Sequence, residues 1–145
     1  MATKSAYESS AREIGELFDE YVEGDANRPV LTVSTEKLGG VSRNAIEKSL
    51  LAFGYRPNSC TFAAIGNLDR QAVFLLVEGL DPLYVIATDR KAVSSLSQAY
   101  RTNFPTDSFI RVFGRCAIAF DNLDELMQTP ESKQRAWALL KTLFK

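Results

Sequence analysis

The chain contains no histidine among its 145 residues. Catalytic arrangements of the Ser-His-Asp and Cys-His types are therefore excluded, because both use an imidazole as the general base. Cysteine is scarce as well: the sequence has only Cys60 and Cys116, too few for a Cys₄ zinc site or an iron–sulfur cluster. Each lies within an apolar stretch, so we expect two buried, reduced thiols, no metal and no other cofactor.

Long apolar runs are also missing. No stretch approaches the roughly 18 apolar residues that can cross a membrane, and the N-terminus lacks the apolar core of a signal peptide. We therefore expect a cytoplasmic protein without a membrane partner. A content of 46% hydrophobic and 24% charged residues is typical of a soluble globular protein, and the length predicts one domain over residues 1–145.

Charge is unevenly distributed, although the net charge is only −1. Residues 1–25 carry two basic and seven acidic side chains, which leaves the body over residues 29–145 mildly basic. Apolar residues recur at helical spacing in the acidic segment, namely Ile14, Leu17, Phe18 and Tyr21. This pattern predicts an acidic amphipathic helix over residues 6–22. The basic body is compatible with contact to nucleic acid, but ordinary solvated charge explains it as well.

Strand and helix patterns alternate along the body. Residues 30–34, 60–65 and 83–88 are expected to be strands, and residues 110–120 to be one strand or two short ones. No hairpin signal such as Asn-Gly separates the strands. We therefore expect a three-layer α/β/α fold with a mostly parallel sheet of about four strands. The run 83–88 is apolar without alternation, which predicts a central position in the sheet.

Capping residues predict where the helices begin. Ser42, Asp89 and Asp121 each precede a helical pattern and are expected to be N-caps, and Thr129 with Pro130 should open the last helix. A helix over residues 68–79 is predicted to face the core with Leu68, Ala72, Leu75, Leu76 and Gly79. Trp137 lies one position off the apolar stripe of the last helix, which fits either a core position or an aromatic that faces a partner.

The carboxyl edge of the predicted sheet is the place to expect a ligand, because open parallel sheets bind ligands there. This edge should carry residues 35–40, 66–69, 88–90 and 121–124. The loop after the first strand lacks the Gly-Lys-Ser/Thr ending of a phosphate loop and a G-x-G-x-x-G fingerprint. The candidate binding residues of the edge are Glu36, Lys37, Gly39, Gly40, Asn67, Asp89, Arg90 and Asn122.

Two features of this edge each allow two interpretations. Gly39-Gly40 can permit a tight turn or close packing of helix against strand, or its backbone can cradle an anion. Glu36 and Asp121 can form a pair of catalytic carboxylates, or they can be solvated and capping residues. The spacing alone assigns a catalytic role to no residue.

Three segments resemble the uracil-DNA glycosylase superfamily, and the resemblance covers about residues 29–144. "VLTVSTEKLGG" keeps Glu36 and Gly39 of a Gly-Glu-x-Pro-Gly loop that follows a strand. "LVEGLDPLYVIATDRKAVSSLSQAY" has the family's order of helix, proline, apolar strand and helix. "NLDELMQTPESKQRAWALLKTL" matches the C-terminal motif of the family with Pro130, Lys133 and Trp137.

The resemblance implies a pocket for a flipped uracil, a water-placing acid or amide, and a histidine that stabilises the leaving base. The sequence departs from the family at each of these places. Asn122 and the leucine after it replace the family's His-Pro, and Ile65 or Gly66, with Asn67 nearby, replaces the pocket asparagine. Glu36 matches a loop residue, but the water-placing residue beyond it has no equivalent. The family's four cluster cysteines are also absent, and we expect that glycosidic cleavage is lost.

Three functions follow as expectations. The first is a non-catalytic, glycosylase-like module that binds single-stranded nucleic acid, a nucleotide or a protein partner through the strand-end edge. The second is an active enzyme, either a glycosylase that uses Asn122 or a nucleotide hydrolase that uses Glu36 and Asp89. The third is a structural or interaction protein without a small-molecule site, whose acidic first helix docks a partner.

Overall fold

The computed structural model of the protein describes residues 21–23, 28–112 and 114–144. These residues form the strands β1 (Val22–Glu23), β2 (Val30–Ser34), β3 (Cys60–Ala64), β4 (Tyr84–Ala87), β5 (Ser108–Val112) and β6 (Arg115–Ala119). They also form the helices α1 (Gly40–Ala52), α2 (Arg70–Leu80), α3 (Arg90–Tyr100), α4 (Leu123–Leu126) and α5 (Pro130–Leu143). The predicted helix over residues 6–22 lies outside the described residues except for its last two positions, and there Val22 belongs to a strand.

A single mixed sheet contains the six strands in the order β1-β3-β2-β4-β6-β5. The four inner strands are parallel, whereas β1 and β5 pair antiparallel at the two edges. The prediction of about four mostly parallel strands is therefore right for the centre of the sheet and omits its edges. β5 and β6 form a hairpin joined at residues 113 and 114, where Gly114 has φ = 78°. This hairpin was not expected, because the turn has no Asn or Asp before its glycine.

The sheet is covered by helices on both sides. β4 lies between β2 and β6, which confirms the predicted central position of residues 83–88. Because side chains alternate along a strand, one apolar cluster forms on each face. Leu31 and Val85 pack under α2 and α3 on what we call the closed face. Ile86 and Ile118 pack under α1 and α5 on what we call the open face.

The closed face is sealed by direct packing of α2 against α3. Arg115 on β6 has a buried guanidinium that forms ion pairs at the end of α2, with Glu78 (3.0 Å) and Asp81 (2.9 Å). The Tyr100 hydroxyl of α3 donates a hydrogen bond to the same Glu78 carboxylate at 2.6 Å. One acidic residue of α2 therefore links the two helices and the sheet.

Some of the predicted helix N-caps are correct and others are not. Asp89 is the N-cap of α3 and Thr129 is the N-cap of α5, with Pro130 following it, as expected. The Ser42 prediction is wrong: the N-cap of α1 is Gly39, and Ser42 is buried in the first turn. A serine three residues into a helix resembles a cap in sequence, but here its hydroxyl serves a tertiary contact instead.

The predicted cap of the short helix is also shifted by one residue. Asn122, not Asp121, is the N-cap of α4, and its amide oxygen accepts a hydrogen bond from the Glu125 N–H at 3.0 Å. Adjacent Asp and Asn residues are equally good caps, so their order in the sequence does not decide between them. Asp121 instead forms an ion pair with Arg90.

The inward face of α2 differs from the prediction. Leu76 and Gly79 are buried as expected, but the buried set also contains Val73, Val77 and Leu80. Leu75 is 51% exposed, so its predicted core position is wrong. The middle of this helix, residues 72–77, is a continuous apolar run, and periodicity therefore leaves the rotation of the helix undetermined.

Both cysteines carry free thiols, but they differ in burial. Cys60 is buried as predicted, whereas Cys116 is only half-buried because it lies near the start of β6, at the margin of the open-face cluster. Within the described ranges, none of the helices combines the length and apolarity that crossing a membrane requires.

Candidate functional site

The candidate site is a cleft at the carboxyl edge of the sheet. β2 and β4 are adjacent and parallel, but the chain after β2 enters α1 on the open face and the chain after β4 enters α3 on the closed face. Two loops that diverge in this way open a crevice, the usual ligand position in such sheets. Here the crevice encloses about 400 Å³. We call it the strand-end cleft, lined by residues 34–38, 88–91, 121, 122 and 124.

Asp89 joins two of the loops that form the cleft. Its carboxylate accepts hydrogen bonds from the Thr35 N–H (2.9 Å), from the Thr35 hydroxyl and from the Ala92 N–H (2.9 Å). The same side chain thus caps α3 and holds the loop after β2. Because three donors occupy a carboxylate with about four acceptor positions, Asp89 has little capacity left to act as a base.

The other cleft acids and Asn122 are engaged as well. The Asp121 carboxylate binds the Arg90 guanidinium, with Nε and one terminal nitrogen each 2.8 Å from Oδ1. This contact raises the pKa of Arg90. Asp124 accepts a hydrogen bond from the Ser42 hydroxyl, and Asn122 caps α4. The backbones of Asp89 and Asn122 form a β-bridge, so the loops after β4 and β6 are joined directly.

Two basic side chains on the loop after β2 and on α1 are anchored to the edge strand β1. Glu23 forms ion pairs with Arg43 and with Lys37, the latter at 3.0 Å. The Arg43 hydrogen bond, followed by that of Lys37, lowers the pKa of the Glu23 carboxyl. The Arg43 guanidinium also lies over the Phe62 ring, 4.3 Å from its centroid. Arg43 is therefore held in place, whereas the Lys37 side chain remains 77% exposed beside the cleft.

The structure brings together five of the eight predicted binding residues. Those that line the cleft are Glu36, Lys37, Asp89, Arg90 and Asn122. Glu36 and Asp121 both line it, but Asp121 is paired with Arg90, which disfavours the paired-carboxylate interpretation. Glu36 is exposed and has no hydrogen bond or ion pair within the described part of the chain.

The remaining three predicted residues lie outside the cleft. Asn67 follows β3, which lies on the far side of β2 from β4, so its loop does not reach the crevice. Gly39 caps α1 with φ = −61°, and a Cβ at this position would lie 3.0 Å from the Asp124 carboxylate. This close approach favours the packing interpretation for Gly39. A Cβ at Gly40 would meet open space.

Gly66 has a clearer structural requirement than the two glycines of the loop. Its N–H donates a hydrogen bond to the Thr35 carbonyl at 2.8 Å, and a Cβ would lie only 2.6 Å from that oxygen. Only glycine permits this approach of the two backbones. The contact links the loop after β3 to the same Thr35 that Asp89 holds, so Thr35 is fixed from two sides.

Sequence reasoning missed Lys91 and the contact between Ser42 and Asp124. Lys91 lines the cleft beside Arg90 in the first turn of α3. Its signal was available, because a residue one or two positions after a strand-end N-cap lies at the same edge. The contact between Ser42 and Asp124 joins residues 82 positions apart, and no local pattern predicts such a pair.

A second, larger cavity lies on the open face between α1 and α5. It encloses about 530 Å³, and we call it the α1/α5 groove, lined by one side of each helix together with Leu123 and Met127. Trp137 forms part of its wall: the indole is half-buried and stacks on Phe53, with ring centroids 5.4 Å apart and planes inclined by 25°. Trp137 is therefore not fully in the core, and the alternative that its indole faces a partner stays a prediction.

No protein-family model matches this chain, and a search of curated proteins finds no match either. The resemblance to glycosylases is therefore a prediction that rests on the three sequence segments.

Proposed function

We propose that this chain is a non-catalytic, glycosylase-like α/β module that binds single-stranded nucleic acid or a nucleotide in the strand-end cleft. The observation that supports this most directly is the rim of a cavity of about 400 Å³, where Lys91 is exposed beside Lys37 and Arg90. Lys37 and Arg90 are paired with Glu23 and Asp121, so a phosphate group would bind in competition with these two carboxylates. Cations at such a rim attract phosphate groups. A cavity of this size falls within the range that accommodates small ligands.

The hydrogen bonds of the cleft support a binding role over a catalytic one. Asp89, Asp121 and Asp124 each serve a structural contact, and the Asn122 oxygen caps a helix. A nucleotide hydrolase built on Glu36 and Asp89 would need Asp89 to release donors that hold two loops together. A glycosylase built on Asn122 would use its NH₂ group as the donor, and the cap at the oxygen leaves that group available, so this contact does not distinguish the two roles.

We expect no detectable release of uracil from single- or double-stranded DNA. Cleavage of the glycosidic bond leaves an anion on the base, and an enzyme must stabilise that developing charge with a well-placed donor. Histidine is absent, and loss of one such donor costs on the order of 10²–10³ in rate. The measurement is an excision assay at high protein concentration with Asn122→Ala as control. Release that the substitution abolishes would establish the enzyme alternative.

Binding is tested by the fluorescence anisotropy of a labelled single-stranded oligonucleotide at several salt concentrations. Arg90→Gln combined with Lys91→Gln should weaken binding and reduce the slope of log K against log salt by about 1 to 2, because two phosphate contacts are lost. Arg56→Gln is the matched control, since Arg56 is exposed in the loop before β3, at the opposite edge of the sheet. An equal effect of both changes, or the absence of binding, would contradict the proposal.

A further inference from the structure

The ion pair between Arg90 and Asp121 uses a single carboxylate oxygen. Nε and one terminal nitrogen of Arg90 both contact Oδ1 of Asp121, each at 2.8 Å. A guanidinium binds most strongly when two parallel N–H groups meet two oxygens of one partner. The Arg90 side chain is also 80% exposed, and exposed ion pairs contribute little to stability. Arg90 can therefore exchange this carboxylate for a group that offers two oxygens to its fork, such as a phosphate.

Lys91 places a second cation beside Arg90. It is exposed in the first turn of α3, lines the same cleft and forms no ion pair within the described ranges. A phosphate that replaced Asp121 on Arg90 would therefore bind in a cleft that also holds the Lys91 ammonium. Two cations together provide the positive charge that phosphate groups attract most readily.

The charge of the cleft opposes a phosphate as long as Asp121 is ionised. Four acidic and three basic side chains line the cleft, so its lining carries a charge of −1. Asp89 and Asp124 are held by hydrogen-bond donors of the protein and serve structural contacts. Glu36 is exposed and is paired with no cation of the described chain. Among these lining acids, Asp121 is therefore the one that directly occupies a cation of the cleft.

The third cation of the cleft, Lys37, is held in a different way. Its partner Glu23 also pairs with Arg43 on α1 and belongs to the edge strand β1. Separating Lys37 from Glu23 would therefore disturb contacts that position a strand. The pair of Arg90 and Asp121 joins two exposed side chains on loops, and it can separate without such a cost.

The cleft offers charge to a ligand but no surface on which a base could stack. None of the described residues that line it is aromatic. Proteins that hold the bases of single strands do so mainly by stacking them on aromatic rings. The lining is therefore suited to a phosphate group and not to a base.

We propose that Arg90 and Lys91 form a phosphate subsite that Asp121 occupies in the free protein, so that a ligand phosphate displaces the Asp121 carboxylate from Arg90. Asp121 is then an internal competitor that sets the affinity of the cleft. This inference rests on the proposed function of the cleft. It narrows the ligand to its phosphate group, whichever base that phosphate carries.

Removing the competitor should strengthen binding. In the anisotropy assay with a labelled single-stranded oligonucleotide, Asp121→Asn should lower Kd on the order of twofold to fivefold, a range consistent with the small contribution of exposed ion pairs. Glu36→Gln is the matched control, because it removes the same charge from the same cleft without releasing a cation. Its gain in affinity should be clearly smaller.

A double-mutant cycle separates displacement from general electrostatics. When Arg90→Gln is already present, Asp121→Asn should improve binding no more than Glu36→Gln does, because no guanidinium is left to release. A gain from Asp121→Asn that is the same with and without Arg90 would overturn the inference.

Competitor ligands test whether phosphate alone is recognised. Oligo-dA, oligo-dT and an abasic strand of the same length should compete within about twofold of one another, because phosphate contacts carry no sequence information. Competition by a mononucleotide would assign the subsite to a terminal phosphate, and competition by the strands alone would assign it to the phosphodiester backbone. Either result supports the inference. A preference of about tenfold or more for one base, or equal competition by an unphosphorylated nucleoside, would overturn it.

The same titrations distinguish this inference from the proposed function. Binding that Asp121→Asn and Glu36→Gln change equally would overturn the displacement of Asp121 and leave the cleft as a binding site. Absence of binding by both the unchanged chain and Asp121→Asn would overturn the proposed function and this inference together.

Discussion

The two faces of the sheet share the same strands but differ in how their helices meet. On the closed face, α2 packs directly against α3. Arg115, which is only 7% exposed, forms ion pairs there with Glu78 and Asp81. On the open face, the α1/α5 groove separates the helices. The helix residues explain this difference: α2 buries Val73, Leu76, Val77 and Leu80, whereas α1 buries only Ile46 and Leu50 as large apolar side chains.

The closed face contributes mainly to stability, whereas the open face leaves surface available for binding. Direct helix contact removes apolar surface from water on the closed face and leaves little there for a partner. Small residues between α1 and α5 leave a surface that a segment or ligand can fill. The strand-end cleft lies between the two, because its loops lead to opposite faces. We therefore expect substitutions on the closed face to cost more stability than equivalent ones beside the groove.

The largest contrast is expected between two leucine truncations, Leu76→Ala on α2 and Leu140→Ala on α5. Both side chains are buried, at 0% and 3% exposure. A buried Leu→Ala change costs about 2–5 kcal/mol, depending on the cavity that remains. We expect Leu76→Ala at the upper end and Leu140→Ala about 1–2 kcal/mol lower, because its void opens into the existing groove.

Urea unfolding of the two variants and of the unchanged chain measures this difference in the free energy of unfolding. Equal losses would mean that the groove is as tightly filled as the closed face.

Much of this architecture was predictable from the sequence, because strong local patterns determined it. The apolar run 83–88 predicted the central strand, and Asp89 and Thr129 were recognised as caps. The second alternative for residues 110–120, two short strands, is confirmed by β5 and β6. Their hairpin pairing was not predictable, because the turn lacks the Asn-Gly or Asp-Gly signal, and β1 has only two residues. Leu75 was misplaced because residues 72–77 of α2 are all apolar, so the run covers every side of the helix there.

The cleft was predictable in position but not in chemistry. The strand-end rule correctly grouped Glu36, Lys37, Asp89, Arg90 and Asn122. It could not tell that Asp89 is occupied by Thr35 and Ala92, because the contact with Thr35 spans 54 positions in the chain. Whether a polar residue is free to act on a ligand depends on its tertiary partners. Sequence patterns therefore predicted which of these residues share the cleft, and the structure shows which of them are already hydrogen-bonded or ion-paired.

A second prediction concerns whether solvent reaches the strand layer beneath the open face. Cys60, in the open-face cluster, is hydrogen-bonded with the Thr32 hydroxyl at 3.1 Å, and burial raises the pKa of its thiol to about 11. An unfolded thiol ionises near pH 9, so its contribution to stability is complete below pH 9 and is lost as the pH rises towards 11. The loss should reach on the order of 2–3 kcal/mol.

The measurement is urea unfolding between pH 8 and 11, with Cys60→Ala as the reference. Tyrosine and lysine titrations affect both proteins, so the Cys60 contribution is the difference between their pH profiles. Parallel pH profiles would mean that solvent reaches the Cys60 thiol through the open face. The two faces would then differ in the solvent access of their strands as well as in the packing of their helices.

The smallest effect is expected at the outer surfaces of the helices, where the two faces should behave alike. Leu51 on α1 and Leu75 on α2 are both 51% exposed, and neither lines the groove. Each Leu→Gln change should lower the free energy of unfolding by less than about 1 kcal/mol, because half of the side chain is already in water and the glutamine stem keeps part of the contact. Thermal unfolding of the two variants side by side measures this. Similar small shifts in the unfolding temperature would mean that the two faces differ only in how tightly their helices pack against each other. A much larger loss at Leu51 would mean that the outer side of α1 is covered in the full chain, and the open face would then extend beyond the groove.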